Sequence, residues 1–140
     1  MTRRALIIPL HWTCVALLLV MVEGGSSHPW VRWASVAAGG LWLVLMLAGG
    51  PLGRPSGRLR GLGRAVFLPF HLALYGALAA SVVLNALALT GGASDATAFT
   101  ALLVLLAIAA FHALFHLWRH TALGDGALRM ITPRRMHRHL

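Results

Sequence analysis

Three histidines, His112, His116 and His120, follow one another at four-residue intervals in the segment FHALFHLWRH, near the end of a long apolar run. On a helix this spacing stacks them one turn apart along a single face. Imidazole in hydrocarbon is costly unless it is hydrogen-bonded or bound to a metal, and ionisable residues within spans mark sites or pathways. Neutral imidazole is also an axial ligand of haem iron, so the strip reads as part of a haem ligand set. The other use of such a strip is pairing between helices.

Positioning these residues is the task of a membrane chain. Of 140 residues, 59% are hydrophobic and 11% charged, and the mean hydropathy is +0.78. A soluble domain carries about a quarter charged residues. Twelve arginines and no lysine stand against three acids, for a net charge of +9. The arginines lie between apolar runs, where membrane topology accounts for them without a nucleic-acid partner. A single cysteine, Cys14, excludes an internal disulfide and reads as a small buried apolar residue. The length suits one membrane domain over residues 1–140, with no room for a further soluble catalytic domain.

Four runs are long enough to span a bilayer, at about 1.5 Å per residue and about 30 Å of hydrocarbon. They cover residues 5–22, 33–50, 65–89 and 97–118. The first opens after Arg3 and Arg4, with Pro9 in its early turns; its length, His11 and Trp12 favour a retained span over a cleaved signal peptide. Trp30 and Trp33 are placed at a membrane interface at the entry to the second span. Gly39 and Gly40 within that span allow close approach of a helix or a flat ligand. The loop PLGRPSGRLRGLGR carries four arginines, and its Gly61-x-Gly63 follows no strand, so it is not read as a phosphate loop. The tail from Gly124 reads as a basic surface segment, with His137 and His139 exposed and uninvolved. Eleven arginines fall on the side of both termini and only Arg32 on the other, which predicts cytoplasmic termini. The expected fold is therefore all-α, an integral membrane four-helix bundle.

Depth links the histidines. His11 lies seven residues after Arg4, His71 seven after Arg64, and His112 seven before Arg119 on a helix running the other way. Each is expected about 10 Å inside the arginine-rich boundary, with its arginine on the same face. This polarity suits a haem, whose iron takes imidazoles and whose propionates take guanidinium partners. Other chemistries fit less well. A structural zinc site usually recruits thiolates or carboxylates, and no span holds an acid. A hydrolytic triad lacks an acid near a histidine, a proton pump lacks an intramembrane carboxylate, and metal transport is a weaker reading.

The chain resembles the bacterial cytochrome b561 family, related to the b-type cytochrome subunits of membrane hydrogenases. The resemblance rests on His11-Trp12, His71-Leu72 with Tyr75, His112-Ala113, and the tail segment DGALRMITPRR from Asp125 to Arg135. It implies a four-helix bundle in the bacterial inner membrane that exchanges electrons with quinone. It further implies that His11 and His112 bind the iron of a haem b near the cytoplasmic face. Where the family carries ligands for a second haem, this sequence has Ser35 and Ala98, so a single haem is expected. His71 is assigned to a quinone or propionate contact, and His116 is an alternative ligand that could also pair with His71. Arg4, Arg64 and Arg119 are assigned to propionates. The expected activity is one-electron relay between quinone and a redox partner protein, in a lipid-embedded complex or homodimer. The rival readings are a two-haem enzyme, pairing His11 with His112 and His71 with His116, and a haem-free structural or assembly subunit with the same fold.

Overall fold

The computed structural model describes residues 3–50, 55–132 and 137. Four helices account for most of them: α1, Arg3–Val22; α2, Pro29–Gly49; α3, Gly61–Leu89; and α4, Asp95–Ala122. Each is long and apolar enough to cross a membrane, and the chain is a multi-pass membrane protein. The helices extend beyond the apolar runs because polar residues complete their first and last turns. Pro29 starts α2 at a position where its missing N–H costs nothing. Ser94 caps α4, its Oγ accepting from the Thr97 N–H at 3.1 Å, with Asp95 in the first turn and Arg119 and His120 in the last.

The bundle is up-and-down. α1 packs on α2, α2 on α3 and α3 on α4, while the closing seam between α4 and α1 is the thinnest of the four. The start of α1 and the end of α4 therefore lie at one end of the bundle, beside the end of α2 and the start of α3. At this end Arg3 donates to the carbonyls of Leu45 and Gly50 at the close of α2. At the opposite end the buried Arg32 meets Asp95 at 2.6 Å. Asp95 itself is largely exposed, so this pair adds little stability.

Apolar packing concentrates in the half of the bundle next to Arg32. Leu18, Met21, Val31, Leu102 and Leu105 form its centre, flanked by Phe99 and Leu78. Gly39 lets α2 and α3 approach closely, since a Cβ there would lie 2.7 Å from Val82 Cγ2 and 3.3 Å from Leu78 Cδ1. Its neighbour Gly40 has nothing within 4 Å and plays no such part. Gly39→Ala is expected to destabilise the bundle by about 1–3 kcal/mol through overpacking, whereas Gly40→Ala is neutral or stabilising. Thermal unfolding of both variants in the same detergent checks the contrast, and equal melting would refute the close contact.

Trp30 and Trp33 stand exposed at the start of α2, 73% and 50% accessible, where interfacial aromatics belong. Cys14 is half-buried and free, rather than fully buried. The tail departs from the expected surface segment. Gly124 and Gly126 adopt positive φ (59° and 71°) and turn the chain back beneath α4. There Ala127 and Thr132 are buried and residues Ala127–Met130 form a 3-10 turn. His137 is half-buried and its Nε2 lies 3.1 Å from the Thr132 carbonyl, so it is engaged rather than free. His139 lies outside the described residues.

Candidate functional site

α3 and α4 bring three of the predicted site residues together. His71, His112 and His116 each offer a ring nitrogen, and these nitrogens all lie within 4.8 Å of one another. The i, i+4 spacing puts His112 and His116 on one face of α4, ring centroids 4.4 Å apart. His71 faces both from α3, at 5.0 Å from the His112 ring and 5.5 Å from that of His116. Phe67, Phe70 and Phe115 wall the cluster.

Hydrogen bonding fixes the chemical state of part of this group. The His71 Nδ1 lies 2.6 Å from the Phe67 carbonyl, one turn earlier on α3. A carbonyl only accepts, so Nδ1 carries the proton and Nε2 is the acceptor of the neutral ring. That Nε2 accepts from the Nε2–H of His116 at 3.4 Å. His112 Nδ1 is buried and has no hydrogen-bond partner among the described residues. Such an orphaned nitrogen is costly unless something fills its valence. His120 continues the strip, its Nδ1 likewise buried without a partner, but it is not in the cluster.

His11 stands apart from the three. Its ring on α1 packs against Trp12 and Trp42, at 5.6 and 5.4 Å between centroids. It lies on the helix that borders α4 across the thin seam.

The arginines divide by role. Arg119 is buried to 2% exposure and bonded to Asp125, with both Nε and Nη2 at 2.7 Å from Oδ2. Its guanidinium lies over Phe67 and Phe115, 5.2 and 5.9 Å from their centroids. Among the described residues Nη1 makes no hydrogen bond. Arg4 donates to the Arg129 carbonyl at 2.6 Å. Arg64 is exposed at the start of α3 and makes no side-chain bond among the described residues.

Asp125 is the group that sequence reasoning overlooked, having placed it in a solvated tail. Its Oδ2 also accepts from Ser56 Oγ at 3.1 Å, and its Oδ1 from the Ala127 N–H at 2.9 Å. Burial pushes this carboxyl up, but the hydrogen bonds and charge of Arg119, with Ser56 and Ala127, outweigh it and hold it below its ordinary value. The available signal was the Gly-Asp-Gly triplet: a charge between two turn glycines, six residues after an intramembrane arginine.

Further bonds tie the same end together. Arg58 donates to the carbonyls of Leu123 and Gly124, at 3.0 and 2.8 Å, and Trp12 Nε1 to that of Ile131 at 2.9 Å. The tail thus clasps α1, α4 and the α2–α3 connection just outside the histidine level.

Comparison with protein families, characterised proteins and solved structures finds no match to this chain. The functional reading therefore rests on the donors themselves. Among the described residues these are neutral imidazoles, with no thiolate beside them and the one adjacent carboxylate committed to Arg119. Such a set suits haem iron or a borderline transition cation and does not suit calcium or magnesium. Ser35 and Ala98 themselves carry no side chain that ligates haem iron. Ser35 is half-buried, and Ala98 is fully buried one turn before Leu102.

Proposed function

We propose that the chain is a b-type membrane cytochrome that relays single electrons between quinone and a partner protein in the bacterial inner membrane. The carrying observation is a buried, unpartnered His112 nitrogen on α4, across the thinnest seam of the bundle from the helix that bears His11. In this reading His11 and His112 hold one haem b by neutral imidazole nitrogens near the arginine-rich end, which is cytoplasmic. When bound, haem supplies one-electron redox chemistry that no side chain here has.

The chain's own residues do the rest. His11 on α1 and His112 on α4 would hold the haem across the most sparsely packed seam of the bundle, whereas α3 and α4 are the most closely packed pair. Arg64, exposed at the start of α3, would take a propionate at the membrane boundary, with Arg4 and Arg119 as the other guanidinium partners. Phe67, Phe70 and Phe115 exclude water from the histidine level. His71 is left for quinone, its Nε2 able to accept a hydrogen bond from a reduced quinone hydroxyl. The missing second ligand pair and the packed half around Leu102 and Met21 support a single haem. The relay is then completed by a redox partner or a second copy of the chain, within lipid and without nucleic acid.

A two-haem enzyme that pairs His71 with His116 is disfavoured because their Nε2 atoms already meet each other directly at 3.4 Å, within hydrogen-bond reach. The test is a reduced-minus-oxidised spectrum with a haem assay on detergent-purified protein expressed with ample haem supply. The expected result is about one b haem per chain. A protein that stays folded and haem-free would establish the alternative, a structural or assembly subunit that retains the bundle.

A further inference from the structure

The three-histidine cluster has a geometry of its own, separate from any haem between α1 and α4. Two Zn–N bonds of about 2.0–2.1 Å at the tetrahedral angle put their nitrogens about 3.3–3.4 Å apart. The Nε2 atoms of His71 and His116 stand at 3.4 Å. His112 brings a third nitrogen within 4.8 Å of both. We propose that in the haem-free chain His71, His112 and His116 form a three-imidazole site for a divalent transition cation of the Zn2+ or Co2+ class.

Several independent features fit a metal site. The His71 Nδ1–H is donated to the Phe67 carbonyl, which orients the ring and leaves Nε2 as the donor, the outer hydrogen bond that metal-bound histidines make. Two histidines at i, i+4 on a helix present both rings to one ion. Coordination at His112 breaks no hydrogen bond of its Nδ1, which has no partner among the described residues. Three neutral ligands leave a fourth position for water, whose deprotonation on zinc lowers the buried charge from two to one. The positive charge nearest the cluster, that of Arg119, is already matched by Asp125 at 2.7 Å.

This site differs from the closed thiolate and carboxylate sites that the composition excludes, because it is open and built from imidazole alone. It overlaps the haem site at one residue. His112 serves both, His11 serves only the haem, and His71 and His116 serve only the cation. Cation and haem therefore compete for His112, and loading with one blocks the other.

Co2+ is the probe. Haem-free protein without a polyhistidine tag is titrated in detergent, and the visible d–d spectrum reports coordination geometry. The expected result is one equivalent with the intense spectrum of a tetrahedral ion, displaced by Zn2+, and a matching block of haem uptake. His11→Ala is expected to lose haem and keep the cobalt spectrum. His116→Ala and His71→Gln, each checked for monodispersity and helical content, are expected to lose the cobalt spectrum, and His116→Ala to keep haem. The proposal is overturned if wild type takes up no cobalt, if the spectrum is that of a weak octahedral complex, or if folded His116→Ala retains it. Failure of the haem reading alone leaves the cobalt result standing, because His11 takes no part in it.

Discussion

His112→Ala is expected to abolish the b-type difference spectrum and to weaken Co2+ binding by at least about 100-fold, the only single substitution that removes both. The two losses share one cause. His112 lies in the middle of the strip, close enough to His71 and His116 to share an ion, on the helix that borders α1. No other histidine can replace it. His116, one turn away, already faces His71, and His120 lies outside the cluster. The fold should survive, since the side chain contributes no hydrogen bond from Nδ1 and alanine favours the helix. Haem content by pyridine assay, cobalt absorbance and circular dichroism, measured on one preparation, distinguish the cases. A full complement of haem in the variant would transfer the axial role to another residue and defeat the assignment.

Asp125→Asn is expected to cost about 3–5 kcal/mol, because it removes the only charge that matches a buried arginine. Arg119 cannot reach water from its position at 2% exposure and cannot discard its proton. The amide keeps the shape of the carboxylate but not its charge, so steric disruption is a minor part of the effect. The same pair sets a pH dependence. The folded carboxyl titrates below its ordinary value of 3.8, so its contribution is complete above that value and is lost as the pH falls through the lower, folded value. Acid unfolding of wild type should therefore include a transition below pH 3.8 that Asp125→Asn lacks. Denaturant unfolding in detergent at neutral and acid pH measures both. Equal stability of the two proteins at neutral pH would show that Arg119 is held by other means.

The four spans were legible because apolar runs between arginines have one physical solution in lipid. Their ends were not, since the helices continue into polar turns at Pro29, Ser94 and Gly61 that hydropathy does not register. Alignment by depth put His11, His71 and His112 at one level, and of these His71 and His112 pack together with ring centroids 5.0 Å apart. It could not say which way each ring turns, and that rotation is what gathers His116 with them and leaves His11 against Trp12 and Trp42. The tail was the larger miss. Arginine-rich composition reads as solvated surface, whereas Asp125 and the turn glycines on either side of it fold the segment under the bundle. Gly39 and Gly40 look identical in sequence, and only the position of Val82 makes one of them indispensable.

The thin seam between α1 and α4 also dictates an order of assembly. α1 is synthesised before α4, and the bonds from Arg4 and Trp12 to the tail need residues as late as Arg129 and Ile131. Until α4 has packed, His11 and His71 lie on helices that lack this neighbour. The face that will meet α4 is then uncovered. An occupant of the histidine level has its widest access in this interval; afterwards it enters only as the seam and the bonds across it open. Release of the Arg4–Arg129 and Trp12–Ile131 bonds is then the step that limits uptake by the finished protein.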